Sequence, residues 1–346
     1  MRVAACAGAV GALLLCPVAA QARTKVVDVG LPAASQPTFE KAGSDVNDFF
    51  PHGVTIHVGD SVAFRPTGEF HTVDLPGRRQ GALPFVLPTG QPVAGVTDEA
   101  GVPFWFNGFP QLGVNPKLFR SSFGKRVRYS GRRRRESGLS AGATKAMVVK
   151  FTRAGSYTYF CDVHAGMKGT VRVRRRGRRI PSAAADRRRV NRQLARDLGI
   201  AARLATTQPP AGVVDVGSAG RYGVEALEMF PSALTVSVGT TVRFQLTPRS
   251  FEAHTATFGP PSYLNPLSSS IQQPVFDPRA IYSSDPPGTA VLVRKTHGNG
   301  FVNTGFMDTS SKSAPPSFNV VRFAQKGTYR FMCLVHPFMR GKITVK

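Results

Sequence analysis

At 346 residues the chain is long enough for about two domains of ~150 residues, each able to close its own core. Its 45 Lys and Arg against 20 Asp and Glu give a formal charge of +25, which predicts attraction to anionic surfaces and steering toward acidic partners. Beyond the first residues no apolar stretch reaches the 18 or so positions that a membrane span needs, so a transmembrane segment in the mature chain is excluded.

Residues 1–22 have the form of a secretory signal: Arg2 near the start, an apolar run over 3–15, then Ala20-Gln21-Ala22 as a small-x-small cleavage site. The expected location is therefore outside the cytoplasm, whether periplasmic, cell-envelope or secreted. Nucleic acid is not an expected target there. Cys6 and Cys16 would leave with the leader, and bulky Leu15 argues against a lipid anchor on Cys16. Only Cys161 and Cys333 would remain, one in each predicted half. An exported protein without a disulfide needs another use for its thiols, and metal ligation supplies one.

The first domain is expected over 23–173. Alternation of Val54, Ile56 and Val58 against Thr55 and His57 has the period of two of a half-buried strand, and a second strand follows the Gly59 turn. A Pro-, Gly- and Ser-rich insertion over about 75–146 is expected to be mostly loop on the surface. Its Phe104, Trp105, Phe106 and Phe109 must pack on something, as a satellite cluster or as a lid over the site described below. The run 132–135 of four arginines reads as a solvated loop. Strand, turn and strand return at 148–160, and 169–173 closes the half.

A connector over 174–212 begins basic and turns helical. Val190, Leu194, Leu198, Ala201 and Leu204 recur at spacings of three and four, Ser182 is placed as an N-cap, and Pro209 and Pro210 stop the helix. Its other face carries Arg187, Arg188, Arg189, Arg192 and Arg196. Such a helix either docks its apolar stripe on a neighbouring domain or lies on an anionic membrane or envelope surface.

The second domain, 213–346, repeats the first. Phe230-Pro231 with the alternating run after it answers Phe50-Pro51 and its run, Val213-Val214-Asp215-Val216-Gly217 answers Val26-Val27-Asp28-Val29-Gly30, and Val320-Val321-Arg322-Phe323 answers Val148-Val149-Lys150-Phe151. An insertion over about 259–317 again separates two blocks of strands. Short strands between Gly and Pro turns indicate a β-sandwich in each half.

The repeat carries its chemistry with it. Cys161, His164 and Met167 form C-x-x-H-x-x-M, and so do Cys333, His336 and Met339. Thiolate, imidazole and thioether on one tight loop make a soft set suited to copper, and a second imidazole from Phe70-His71-Thr72 or Ala253-His254-Thr255 would complete a His₂Cys set with a weak axial Met. A buried inert thiol is the ordinary alternative for a cysteine, but not for one with His and Met at the same offsets twice. Zinc would accept Cys and His but has no use for Met. The remaining His52, His57 and His297 read as exposed or turn residues, since Ser232 and Ser237 replace the first two in the second half. A copper shared among those three is the minor alternative.

Each half resembles a cupredoxin, the blue-copper fold of the plastocyanin and amicyanin kind. Cys333-Leu334-Val335-His336-Pro337-Phe338-Met339-Arg340-Gly341 is especially similar to the amicyanin ligand loop. The resemblance implies an all-β protein of two Greek-key β-sandwich domains joined by an Arg-rich, partly helical linker. It implies two type 1 copper ions, one on His71, Cys161, His164 and Met167, the other on His254, Cys333, His336 and Met339. The implied function is single-electron transfer between protein redox partners, with extracytoplasmic copper storage or delivery as the alternative. No enzymatic activity is expected: three spare His and no H-x-H string leave too few ligands for a laccase-type cluster. Electrons in this family pass through the edge of the downstream His. Pro337 and Phe338 surround His336 with apolar surface where Ala165 and Gly166 leave His164 flatter, which suggests different partners or potentials for the two halves.

Overall fold

The structure, a computed structural model, describes residues 22–68, 70–309 and 315–346; the expected leader falls almost entirely outside them. Each half is a sandwich of two sheets. In the first, Thr24–Val29 lies parallel to Ser61–Pro66 and antiparallel to Phe49–Phe50, and Met147–Phe151 and Arg126–Tyr129 extend that sheet. The facing sheet runs Arg135–Glu136, Asp74–Leu75, Gly155–Phe160, Lys168–Arg174 and Gly53–His57. β-Branched and aromatic residues drive this pairing. Val27, Val62, Phe64, Val149, Phe151 and Tyr159 meet in the core between the sheets.

The second half uses the same order of pairings. Val213–Ala219 is parallel to Thr241–Gln245 and antiparallel to Val224–Phe230, and Ala233–Val236 is parallel to Arg340–Val345. Phe244, Phe258, Phe323 and Phe331 fill its core with edge and tilted ring contacts. Apart from the connector helix, the helical segments are short, so the protein is mostly β, in the cupredoxin manner.

Three features hold the halves together. Ser44–Val46, a strand of the first half, adds antiparallel to the edge of Val224–Phe230 in the second, with Val46 opposite Val224 and Ser44 opposite Ala226. The connector helix Ala183–Leu204 starts at Ser182, whose hydroxyl accepts from the Ala185 N–H at 3.2 Å, satisfying a free N–H of its first turn. Val190, Leu194, Ile200, Ala201 and Leu204 pack it against Leu31, Phe39 and Phe50 of one half and Val224 of the other. Leu198 is exposed and Ile200 takes its place, because the buried stripe is rotated slightly around the helix. The apolar face is thus covered by the protein itself.

The insertions depart from the expected surface loops. Val86–Pro92 and Pro110–Val114 form a hairpin, which continues onto the second insertion through the Val114 N–H to Pro274 carbonyl bond at 2.9 Å. Phe104 and Phe106 are buried with Leu264, Leu267 and Phe301 of the second half, and the Trp105 indole donates to the Ser283 carbonyl at 2.8 Å. Rings of this size bury ~150–250 Å² each, too much apolar surface to leave in water. The aromatic cluster clasps the neighbouring half, and Leu334, next to Cys333, lies in the same cluster.

Candidate metal centres

Both ligand loops are built alike. The strand Gly155–Phe160 delivers Cys161, after which the chain turns back so that the Cys161 N–H bonds the Met167 carbonyl and the Met167 N–H bonds the His164 carbonyl, both at 3.0 Å. In the second half the Cys333 N–H bonds the Met339 carbonyl at 3.0 Å and the Met339 N–H bonds the His336 carbonyl at 2.9 Å. These bonds close the loop before any side chain is considered. They bring Cys, His and Met to one end of the sandwich core, where Met167 and Met339 are buried in the same clusters as the thiols.

The upstream imidazoles come from across the sandwich. His71 is held through its N–H by the Ser140 hydroxyl at 3.0 Å, while the Ser140 N–H returns to the His71 carbonyl at 2.9 Å. Its ring lies against Gly30 and Gly68, where an added Cβ would come within 2.7 and 2.8 Å of ring atoms. Gly30 has φ +98°, a region that glycine enters without steric cost. His254 is clamped by mutual backbone bonds with Met307 at 2.9 and 3.3 Å, and its ring packs on Gly217.

In the first half Cys161 Sγ lies 3.9 Å from His71 Nδ1 and 3.5 Å from His164 Nδ1. In the second, Cys333 Sγ lies 3.7 Å from His254 Nδ1 and 3.9 Å from His336 Nδ1, and the two Nδ1 atoms are 3.1 Å apart. Metal bonds of about 2.0 Å to nitrogen and about 2.3 Å to sulfur, spread at about 120°, would place N and S about 3.7 Å apart. The donor sets match that spacing without rearrangement. Each sulfur also accepts a backbone N–H at 3.4 Å, from Thr72 and from Thr255.

Electrostatics favour the ligand forms. Burial opposes ionisation of both thiols, yet the facing imidazoles hold Cys161 and Cys333 well below the ordinary thiol range, and the thiolate is the form that binds metal. The other histidines stand apart from these sets. His52 bonds Asp48 at 2.8 Å, His57 bonds the Arg178 carbonyl at 2.7 Å, and His297 lies between Asp98 and Asp285 at 3.0 and 3.3 Å.

Two groups of side chains around the sites escape a reading of the motifs. Behind Cys161 the carboxylates of Asp74, Glu136 and Asp162 converge. Burial and the neighbouring carboxylates push Asp74 up to about 7 and Glu136 up to about 11, and burial raises Asp162 as well. Leu334 takes the place of Asp162 in the second half, and both backbone N–H groups bond the equivalent threonine hydroxyl at 2.8 Å, from Thr72 and Thr255.

The second group is Glu252, whose carboxylate lies 3.2 Å from His164 Nε2 and 3.9 Å from His336 Nε2. Burial resists its charge, but the imidazoles outweigh burial and hold Glu252 well below the usual carboxylate range. The sequence signal for it is Glu-x-His-Thr, which occurs as Glu69-Phe70-His71-Thr72 and Glu252-Ala253-His254-Thr255.

The surroundings of the two downstream histidines differ more than their loops suggest. His164 is only 5% exposed because the Phe251 ring packs over Gly166, whereas Phe338 beside His336 is 64% exposed.

The family comparison falls on the first ligand loop. Residues 121–174 match the family model of copper binding proteins of the plastocyanin/azurin family; the stretch contains Cys161, His164 and Met167. No curated protein matches the chain. Among solved structures, amicyanin from Paracoccus versutus is 17% identical, covering 41% of this chain and 88% of its own at a TM-score of 0.22. A purple cupredoxin from Nitrosopumilus maritimus is 15% identical, covering 39% of this chain and 98% of its own, also at 0.22.

Proposed function

We propose that this cupredoxin-like, copper-binding chain is an exported electron carrier with one type 1 copper in each half, held by His71, Cys161, His164 and Met167 and by His254, Cys333, His336 and Met339. The observation that carries the reading is the pair of buried Nδ1, Nδ1 and Sγ triangles, spaced for a metal. Copper bound there would supply one-electron Cu(I)/Cu(II) chemistry, for which a trigonal N₂S set with a weak axial thioether is suited.

The chain's own part is to keep that geometry fixed. Backbone bonds lock both ligand loops, N–H groups from Thr72 and Thr255 steady the thiolates, and packed rings exclude water. Rigidity of this kind favours electron cycling over storage or delivery, since handing on a metal requires ligands that open. No enzymatic reaction is assigned to it.

Exchange with outside partners fits the second half best. The apolar Phe338 stands exposed beside His336, while His164 is covered. Acidic proteins suit the strongly basic surface, and the Arg-rich connector offers a second contact for an anionic cell-envelope or membrane surface. Among the described residues no helix is long and apolar enough to cross a membrane. The carboxyl group of Asp162 behind Cys161, against apolar Leu334 behind Cys333, argues for a lower potential at the first site.

Cys161→Ser and Cys333→Ser variants test the reading. Each should lose one of two reversible redox waves and about half of the visible thiolate-to-copper absorption. Copper held only as colourless Cu(I) would favour storage or delivery instead.

A further inference from the structure

Each downstream histidine turns Nδ1 toward its cysteine, so each Nε2 edge points away from its own site. In a single domain that edge would meet solvent or a partner protein. Here the two edges face one another across the boundary between the halves, and Glu252 stands between them, with Oε1 3.2 Å from His164 Nε2 and Oε2 3.9 Å from His336 Nε2.

The carboxylate is fixed from several sides. Its side chain is 11% exposed. Asn47, next to the strand that the first half lends to the second, donates its Nδ2 to Oε1 at 2.7 Å. The Glu252 N–H bonds the Ser250 hydroxyl at 3.2 Å, and the preceding Phe251 N–H is held by Glu225 at 2.6 Å. The Phe251 ring then closes over Gly166, which seals the first site's imidazole edge from water.

We propose that Glu252 is a positioning residue shared by both metal sites, and that His164, Glu252 and His336 form an internal bridge for electron transfer between the halves. The bridge rests on the two copper sites proposed above. The His164 ring faces Oε1 with its Nε2–H at 3.2 Å, which fixes that tautomer, leaves Nδ1 free as ligand and sets the ring orientation, while His336 Nε2, 3.9 Å from Oε2, feels the carboxylate through its charge alone. In one exchange the reduced site loses one electron and the oxidised site gains it; no proton leaves the carboxylate. The two sites therefore act as one coupled pair, with Phe338, beside His336, exposed on its outer side.

The test uses the full chain loaded with copper, together with Glu252→Ala, Glu252→Gln and Asn47→Ala variants. Rapid one-electron reduction should be followed in the wild type by a redistribution between the sites whose rate does not depend on protein concentration. That rate should fall about ten-fold or more in Glu252→Ala, with partial recovery in Glu252→Gln, which keeps one acceptor oxygen. In the metal-free protein, nitrogen NMR should show the His164 Nε2–H protected from exchange, and Glu252→Ala should expose it.

An unchanged rate in Glu252→Ala, or a His164 Nε2–H that stays protected in that variant, would overturn the bridge. If the alanine variant does not fold, an unslowed redistribution in both Glu252→Gln and Asn47→Ala overturns it as well. A chain carrying fewer than two coppers removes the premise, and the metal count separates that outcome from failure of the bridge alone.

Discussion

Gly166→Ala probes how the halves are joined. Gly166 has φ +117°, outside the range an L-residue enters freely, at a cost of about 1–2 kcal/mol for alanine. A Cβ there would lie 2.5 Å from Phe251 Cε1 and 2.8 Å from Cζ, so the ring must leave its seat, for which overpacking data suggest about 1–3 kcal/mol. The total is about 2–5 kcal/mol. Urea unfolding of the metal-free protein, run as a double-mutant cycle with Phe251→Ala, divides it. In the Phe251→Ala background only the backbone cost should remain, leaving a coupling of about 1–3 kcal/mol between the two positions. Additivity within about 0.5 kcal/mol would show that Phe251 does not press on the ligand loop and would refute this account of the junction.

Other changes read other parts of the molecule. Burial raises Asp197 of the connector helix to about 6 from an ordinary 3.8 against the pull of Arg196. The native state therefore holds a proton that the unfolded chain releases. Stability present below pH 3.8 is lost as pH rises to about 6, and Asp197→Asn should stabilise at pH 7.5 relative to pH 4 by about 1–2 kcal/mol after solvent screening, measured by urea midpoints; an equal effect at both pH values would contradict this. Burial works against charge on His297, but Asp285 and Asp98 outweigh it and raise its pKa. Its contribution is full below about 6.5 and fades as pH rises through the folded value. His297→Gln should thus cost about 1 kcal/mol more at pH 6 than at pH 9, read as hydrogen exchange in the segment around Glu99, whose N–H bonds the His297 carbonyl. Asp162→Asn should raise the potential of the first site by about 50 mV, equivalent to roughly 1 kcal/mol of lost charge interaction; spectroelectrochemistry in the Cys333→Ser background, where only the first site remains, checks it, and an unchanged potential there would contradict it.

Much of the fold was legible because strand periodicity and ligand spacing are local. Val54 and Ile56 alternate as a strand must, and Cys161, His164 and Met167 lie within one turn of chain, so their convergence follows from the loop itself. What escaped the sequence depends on distant contacts. Ser44–Val46 is too short to show a period of two, and nothing near it announces that its partner lies in the other half. The cluster of Phe104, Trp105 and Phe106 advertised burial without naming Leu264 and Phe301 as its target. In the connector, a stripe drawn through Leu198 and one through Ile200 differ by a modest rotation, and only the packed surface decides between them. Glu252 was hidden for a similar reason: a lone carboxylate two residues before a histidine acquires meaning only when the second histidine arrives from the other half.

The central claim is that each chain holds two separate coppers on thiolates. Metal analysis of the purified, copper-loaded protein, combined with its visible spectrum, tests this most directly. The account predicts two copper ions per chain and strong thiolate-to-copper absorption that bleaches on reduction and returns on oxidation. A single ion per chain, or two ions with no such absorption, would contradict it.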